Sequence, residues 1–126
     1  MKRYMASLAI LFGVAFVCMA QQPPKILVDI PFQFKADMNL VPAGTYEVQP
    51  NAEETHIQLR NLKTNERYLA RVLTRLAPRG ADQSVVAFDV EGQNHFLSEV
   101  HFAGIDGFAI EAAKGKHTHV TIQAKK

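Results

Sequence analysis

From Ile26 onward, apolar and polar positions alternate with a period of two. Ile26, Val28, Ile30, Phe32 and Phe34 fall on one side, and Asp29, Gln33 and Lys35 on the other. That is the pattern of a pleated strand with one buried face. Leu27 breaks the polar side mildly. Pro31, on the outer side, cannot donate to a ladder and marks an edge strand or a bulge. The stretch "LVPAGTYEV" places proline second and glycine fourth in "VPAG", the preference of a type I turn. Tyr46 and Val48 then resume the rhythm, so the stretch reads as strand, corner and strand.

"QPNAEE" reverses the chain, and Ile57 and Leu59 oppose His56, Gln58 and Arg60; "KTNE" turns it again. In "RYLARVLTRLAPRG", Tyr68, Leu69, Val72, Leu73 and Leu76 fit a helical stripe as well as a strand. Its position between short strands favours strand. "SVVAFDV" puts Val86, Phe88 and Val90 together. "HFLSEVHF" is expected to place Phe96, Ser98, Val100 and Phe102 inward, with His95, Leu97, Glu99 and His101 outward. After the turn "AGIDG", Phe108, Ile110 and Ala112 alternate. After "KGK", Val120 and Ile122 face inward and His117, His119, Thr121 and Gln123 outward. About eight short strands, with turns roughly every 8 to 12 residues, predict one all-β domain. The expected architecture is a small antiparallel sandwich or barrel.

The stretches "IPFQFKADMNLVPAGTYEV", "LRNL", "VLTRLA", "FLSEVHFAGIDGFAI" and "AAKGKHTHV" resemble a family of small, uncharacterised exported bacterial β-rich proteins, from about Val28 to His119. Alanine stands before Gly104 where that pattern carries proline. The resemblance implies an exported β-rich fold and brings no catalytic residue, ligand or partner with it.

The first 20 residues carry Lys2 and Arg3, an apolar run from Met5 to Val17 and the small-residue boundary Cys18-Met19-Ala20. This is the order of a secretory signal peptide, predicting cleavage after Ala20 and a domain over residues 21–126. The run is shorter than a membrane span requires, so no stable membrane insertion is expected after cleavage. The destination is the periplasm or the extracellular space. Cleavage would remove the only cysteine. It would also take Lys2 and Arg3 from 14 basic residues, leaving 12 against 12 acidic ones. A neutral domain gives no electrostatic reason to bind nucleic acid, and near 100 residues its apolar core can hold it without disulfides.

For chemistry, "HTH" puts His117 and His119 on one strand face about 7 Å apart, twice the strand rise. His95 and His101 are expected to share an outer face with Glu99. Convergence of His95, His101, His117 and His119 would suit zinc, copper or nickel; the bland alternative is four separate solvated imidazoles. Arg60, Arg67, Arg71, Arg75 and Arg79 could grip an anion, or be neutralised by Glu53, Glu54, Glu66 and Asp82 on a salt-bridged face. Covalent catalysis has little to work with: Ser84 and Ser98 are the only serines after the signal, and no nucleophile elbow, phosphate loop or dinucleotide fingerprint occurs. Three readings follow. The first is a non-enzymatic envelope module that binds a protein or surface ligand through loops or a free strand edge. The second is a metal-binding protein, and the third a hydrolase built on Glu99 and His101.

Overall fold

A computed structural model of the chain describes residues 24–78, 83–110 and 115–125. The proposed signal peptide, Arg79, Asp82 and Ala112 lie outside them. Among the described residues there is no helix, and none that could cross a membrane. The strands are β1 (Ile26–Ile30), β2 (Phe34–Ala36), β3 (Asn39–Val41), β4 (Gly44–Pro50), β5 (His56–Asn61), β6 (Arg67–Leu76), β7 (Val85–Glu91), β8 (Asn94–His101), β9 (Gly107–Ile110) and β10 (Thr118–Gln123). The ambiguous segment is therefore a strand, β6. There are ten strands rather than about eight because the run from Ile26 to Phe34 is broken at 31–33, next to Pro31, and the chain before the "VPAG" corner forms its own short strand.

All ten strands belong to one sheet that is not closed. Along it the order is β1-β4-β5-β6-β9-β8-β2-β3, with β7 on β8 and β10 on β7. Pairing is antiparallel except between β2 and β8, which meet in parallel with Lys35 opposite Phe96. β9 is short and covers only the C-terminal part of β8, so β2 flanks the remainder. The two ends of the sheet approach each other: Lys125 N donates to Leu27 O at 2.8 Å, and Lys125 Nζ lies 2.8 Å from Asp29 Oδ2.

The inward faces follow the two-residue rhythm. Val28, Ile30, Phe34, Tyr46, Val48, Ile57, Leu59, Val86, Phe88, Phe108 and Ile110 all join one apolar core. Two extra residues shift the rhythm. Leu73 is inserted in β6 opposite the step from Ile110 to Ala109, and Ser98 in β8 opposite the step from Phe88 to Ala87. A bulge puts two residues against one and changes which positions face the core after it. Hence Leu97 and Val100 are both fully buried while Phe96 is only half-buried. The inward assignment of Phe96 and the outward one of Leu97 are corrected accordingly. Ser98 is buried, and its hydroxyl donates to Ala87 O at 3.1 Å, so the bulge is closed by its own side chain.

The "VPAG" corner is no hairpin. It carries the chain from β3, paired with β2, to β4, paired with β1 and β5. Tyr46, fully buried, locks it by donating from its hydroxyl to Pro42 O at 2.6 Å, a tyrosine corner. Asn61 Nδ2 donates to the same hydroxyl at 3.2 Å, while Asn61 Oδ1 accepts the amides of Lys63 and Thr64. Gly44 keeps this approach uncrowded, since a Cβ there would lie 3.1 Å from Asn61 Nδ2 and the amide would have to give by a few tenths of an ångström. Tyr46→Phe should destabilise the fold by about 1–3 kcal/mol, because it leaves Pro42 O and Asn61 Nδ2 unpaired without changing apolar volume. Urea unfolding measures this.

Asp37 turns the β2–β3 hairpin at φ 55° and anchors it to β6, accepting Arg71 Nε at 3.0 Å and Arg71 Nη2 at 3.2 Å. These hydrogen bonds hold its carboxyl below the ordinary 3.8. A depressed folded value means that the anchor stabilises the fold above that pH and is lost as pH falls through the lower folded value. Asp37→Asn should therefore flatten the loss of stability below about pH 4, as acid titration of the melting temperature would show.

Candidate metal centre

β7 is apolar from Val85 to Phe88, and its two acids are Asp89 and, at the exposed end, Glu91. The Asp89 neighbours Phe88 and Val90 alternate toward the core, so the Asp89 side chain points to the other face, between β8 and β10. There it is opposite His119 on one flank and Phe96 on the other. Its side chain is only 7 % exposed. Placing a carboxylate in such a position costs several kcal/mol unless charge or hydrogen bonds compensate.

The compensation comes from β10. His119 Nδ1 lies 2.8 Å from Asp89 Oδ1, and His117 Nε2 lies 3.7 Å from Asp89 Oδ2. The approach of His119 is outside hydrogen-bond geometry, and Asp89 Oδ1 has no hydrogen-bond partner. The two imidazoles stand edge to face, centroids 4.9 Å apart. His117 Nδ1 is 2.6 Å from Gly115 O. A carbonyl only accepts, so Nδ1 carries the proton, and in the neutral ring the lone pair of Nε2 is left facing the carboxylate. Two acceptors then confront each other across a gap that calls for a positive charge.

One atom from each of Asp89, His117 and His119 lies within 4.8 Å of the others. Ligands on a tetrahedral ion with bonds near 2.1 Å are about 3.4 Å apart, so a small rotation of the exposed His119 closes the set. Imidazole nitrogens with one carboxylate oxygen suit zinc, copper and nickel. The His117–Gly115 bond is the outer-shell support that commonly orients a metal-binding histidine. Three protein ligands leave at least one coordination position for water or another ligand.

The sequence-predicted histidines divide. His117 and His119 come together as expected, joined by Asp89, which lies on the outward side of the Val86, Phe88 and Val90 alternation and is far in sequence from these two histidines. His95 and His101 do not join them. The Ser98 bulge puts His95 on the face opposite Glu99 and His101, where its ring stacks on Phe32, centroids 3.8 Å apart and planes at 16°. The shared outer face expected for His95, Glu99 and His101 is thus corrected. His101 is outward but separated from β10 by β7. It lies opposite Val85, which is opposite Gln123, four residues beyond His119. At strand spacing and rise this puts it on the order of 15 Å away.

His101 is 4 % exposed and neither ring nitrogen has a hydrogen-bond partner. Glu99 Oε1 stands 3.8 Å from its Nε2, too far for the bond a general base would use. Its ring covers Gly107. Three of the arginines are tied by acids, Arg60 to Glu47 at 2.8 Å, Arg71 to Asp37, and Arg75 to Glu54 and Asp106, whereas the exposed Arg67 forms no ion pair with a described residue. Of the neutralising residues expected, Glu54 is the one that these pairs include. Glu66 instead accepts the Tyr68 hydroxyl at 2.6 Å, which pushes that phenol up to about 12.

No family model, curated protein or solved structure matches the chain. The site must therefore be read from its own geometry.

Gly107→Ala should destabilise the protein by about 1–3 kcal/mol, as overpacking does, because the new methyl would sit 2.5 Å from His101 Nδ1 and 2.8 Å from Cε1. In a His101→Ala background the same substitution should cost little. Thermal denaturation of the four proteins in that cycle measures the coupling.

Proposed function

We propose that the protein is an exported, non-enzymatic β domain that binds a divalent transition-metal ion through Asp89, His117 and His119. The observation that carries this reading is the buried carboxylate of Asp89. Its Oδ1 accepts no hydrogen bond while two imidazoles crowd it, one with its other nitrogen already committed to a carbonyl. A purely structural Asp–His pair would satisfy that oxygen with an N–H. Export rests on the N-terminal charged, apolar and small-residue segments and on the family resemblance; the periplasm or the extracellular space is where the ion would be met.

A second reading, binding of an envelope protein by strand addition, is favoured by the gap between the sheet ends. There, among the described residues, one backbone hydrogen bond, Lys125 N to Leu27 O, links β1 to the chain after β10.

Metal binding has a direct test. An ion held only by the folded form at 100 times its dissociation constant adds about 2.7 kcal/mol, or about 10 °C or more in melting temperature for a domain of this size. Copper(II), nickel(II) and zinc(II) should each raise the melting temperature, copper most, and magnesium should not. Asp89→Asn and His119→Ala should each abolish the shift. No shift with any of the three ions at millimolar concentration sinks the reading.

A further inference from the structure

The pairing registers assemble a row that the sequence scatters. Lys35 on β2 lies opposite Phe96 on β8, Phe96 opposite Asp89 on β7, and Asp89 opposite His119 on β10. All four are on the face turned away from the core, since their neighbours Phe34, Leu97 and Phe88 are the ones buried in it. Three strand spacings give the row a length of about 14 Å. On one side of Phe96 stands the Asp89–His117–His119 cluster. On the other is a cleft of about 350 Å³ between the β2–β3 hairpin and the β7–β8 turn; Gln33, Lys35, Gln93, Asn94 and Phe96 line it together with Leu40 and the core-side Phe34 and His95. That volume is at the lower end of small-molecule sites.

The chemistry of this cleft is distinctive. Gln33, Gln93 and Asn94 are exposed amides, each able to donate and accept at once, and none has a hydrogen bond to another described residue. Lys35 is the one lysine or arginine of the cleft and likewise forms no ion pair with a described residue, while the other basic side chain there, His95, is stacked on Phe32. The half-buried Phe96 ring offers an apolar face between them and the metal centre. Paired donor-acceptor groups match vicinal hydroxyls, a ring face matches the C–H face of a pyranose, and a cation at one end with a metal ion at the other matches negative charge. An extended peptide would need a free strand edge, and β2 is already paired on both sides, with β3 and β8.

We propose that the cleft and the metal centre form one extended site for an anionic saccharide. One carboxylate takes the open position on the ion, a sugar ring lies over Phe96, and a second carboxylate meets Lys35 among the three amides. The proposal rests on the metal reading above and adds the ligand class. A row of about 14 Å accommodates a short oligosaccharide.

Calorimetric titration of digalacturonate into the full chain loaded with zinc tests it, with lactose as the neutral control. Digalacturonate should bind and lactose should bind at least about tenfold more weakly, as loss of a charged hydrogen bond implies. Lys35→Gln should weaken digalacturonate about tenfold and Phe96→Leu about three- to tenfold, both with zinc affinity unchanged. Chelation of the zinc should weaken it comparably. If zinc binds but digalacturonate does not, or if both variants bind it like the parent, the saccharide site is overturned and the metal centre stands. Digalacturonate binding that is sensitive to Lys35→Gln but indifferent to zinc overturns the joined site. Failure of zinc itself to bind overturns the metal reading, and the joined site with it.

Discussion

Two residues out of step, Leu73 in β6 and Ser98 in β8, are the constraint on which the rest of this molecule turns. A strand that alternates without interruption keeps one set of side chains inside for its whole length. One inserted residue changes the face of everything after it. In β8 this lets Leu97 and Val100, three apart, both enter the core, and it sends His95 to one face and Glu99 and His101 to the other. In β6 the insertion lies where the strand passes from pairing with β5 to pairing with β9, so one ten-residue strand serves both parts of the sheet. One apolar interior results, wrapped by a sheet whose ends meet, among the described residues, at the Lys125 N to Leu27 O hydrogen bond and the Lys125–Asp29 ion pair.

Two of the buried polar sites in this molecule differ in kind. Tyr46, Asn61 and Pro42 form a satisfied network: the phenol donates to a carbonyl and accepts from an amide, and that amide's oxygen takes two backbone N–H groups. Networks of this type fix a corner and hold no capacity in reserve. Asp89 is the other kind. Its carboxylate is nearly as buried, yet one oxygen accepts nothing and the nearest groups are imidazoles arranged around a gap. A folded protein tolerates such a position when a cation completes it. This contrast in satisfaction separates the structural corner at "VPAG" from the candidate metal centre on β7.

The alternation of oily and wet residues was enough to read the all-β class, the inward faces of β1, β4, β5 and β7, the outward pairing of His117 with His119, and the corner at "VPAG". Each of these depends on neighbours along one strand, where a period of two leaves no choice of face. Strand order, the parallel contact of Lys35 with Phe96, the two bulges and the convergence of Asp89 with the histidines some thirty residues downstream belong to the tertiary structure alone. The physical reason is that hydrogen-bonded neighbours in a sheet are chosen by how all the strands share one core, and a bulge leaves no local mark in composition. The chain itself dictated which residues point together along each ribbon; only the packed sheet decided which ribbons lie side by side, and with that, where a metal ion could be held.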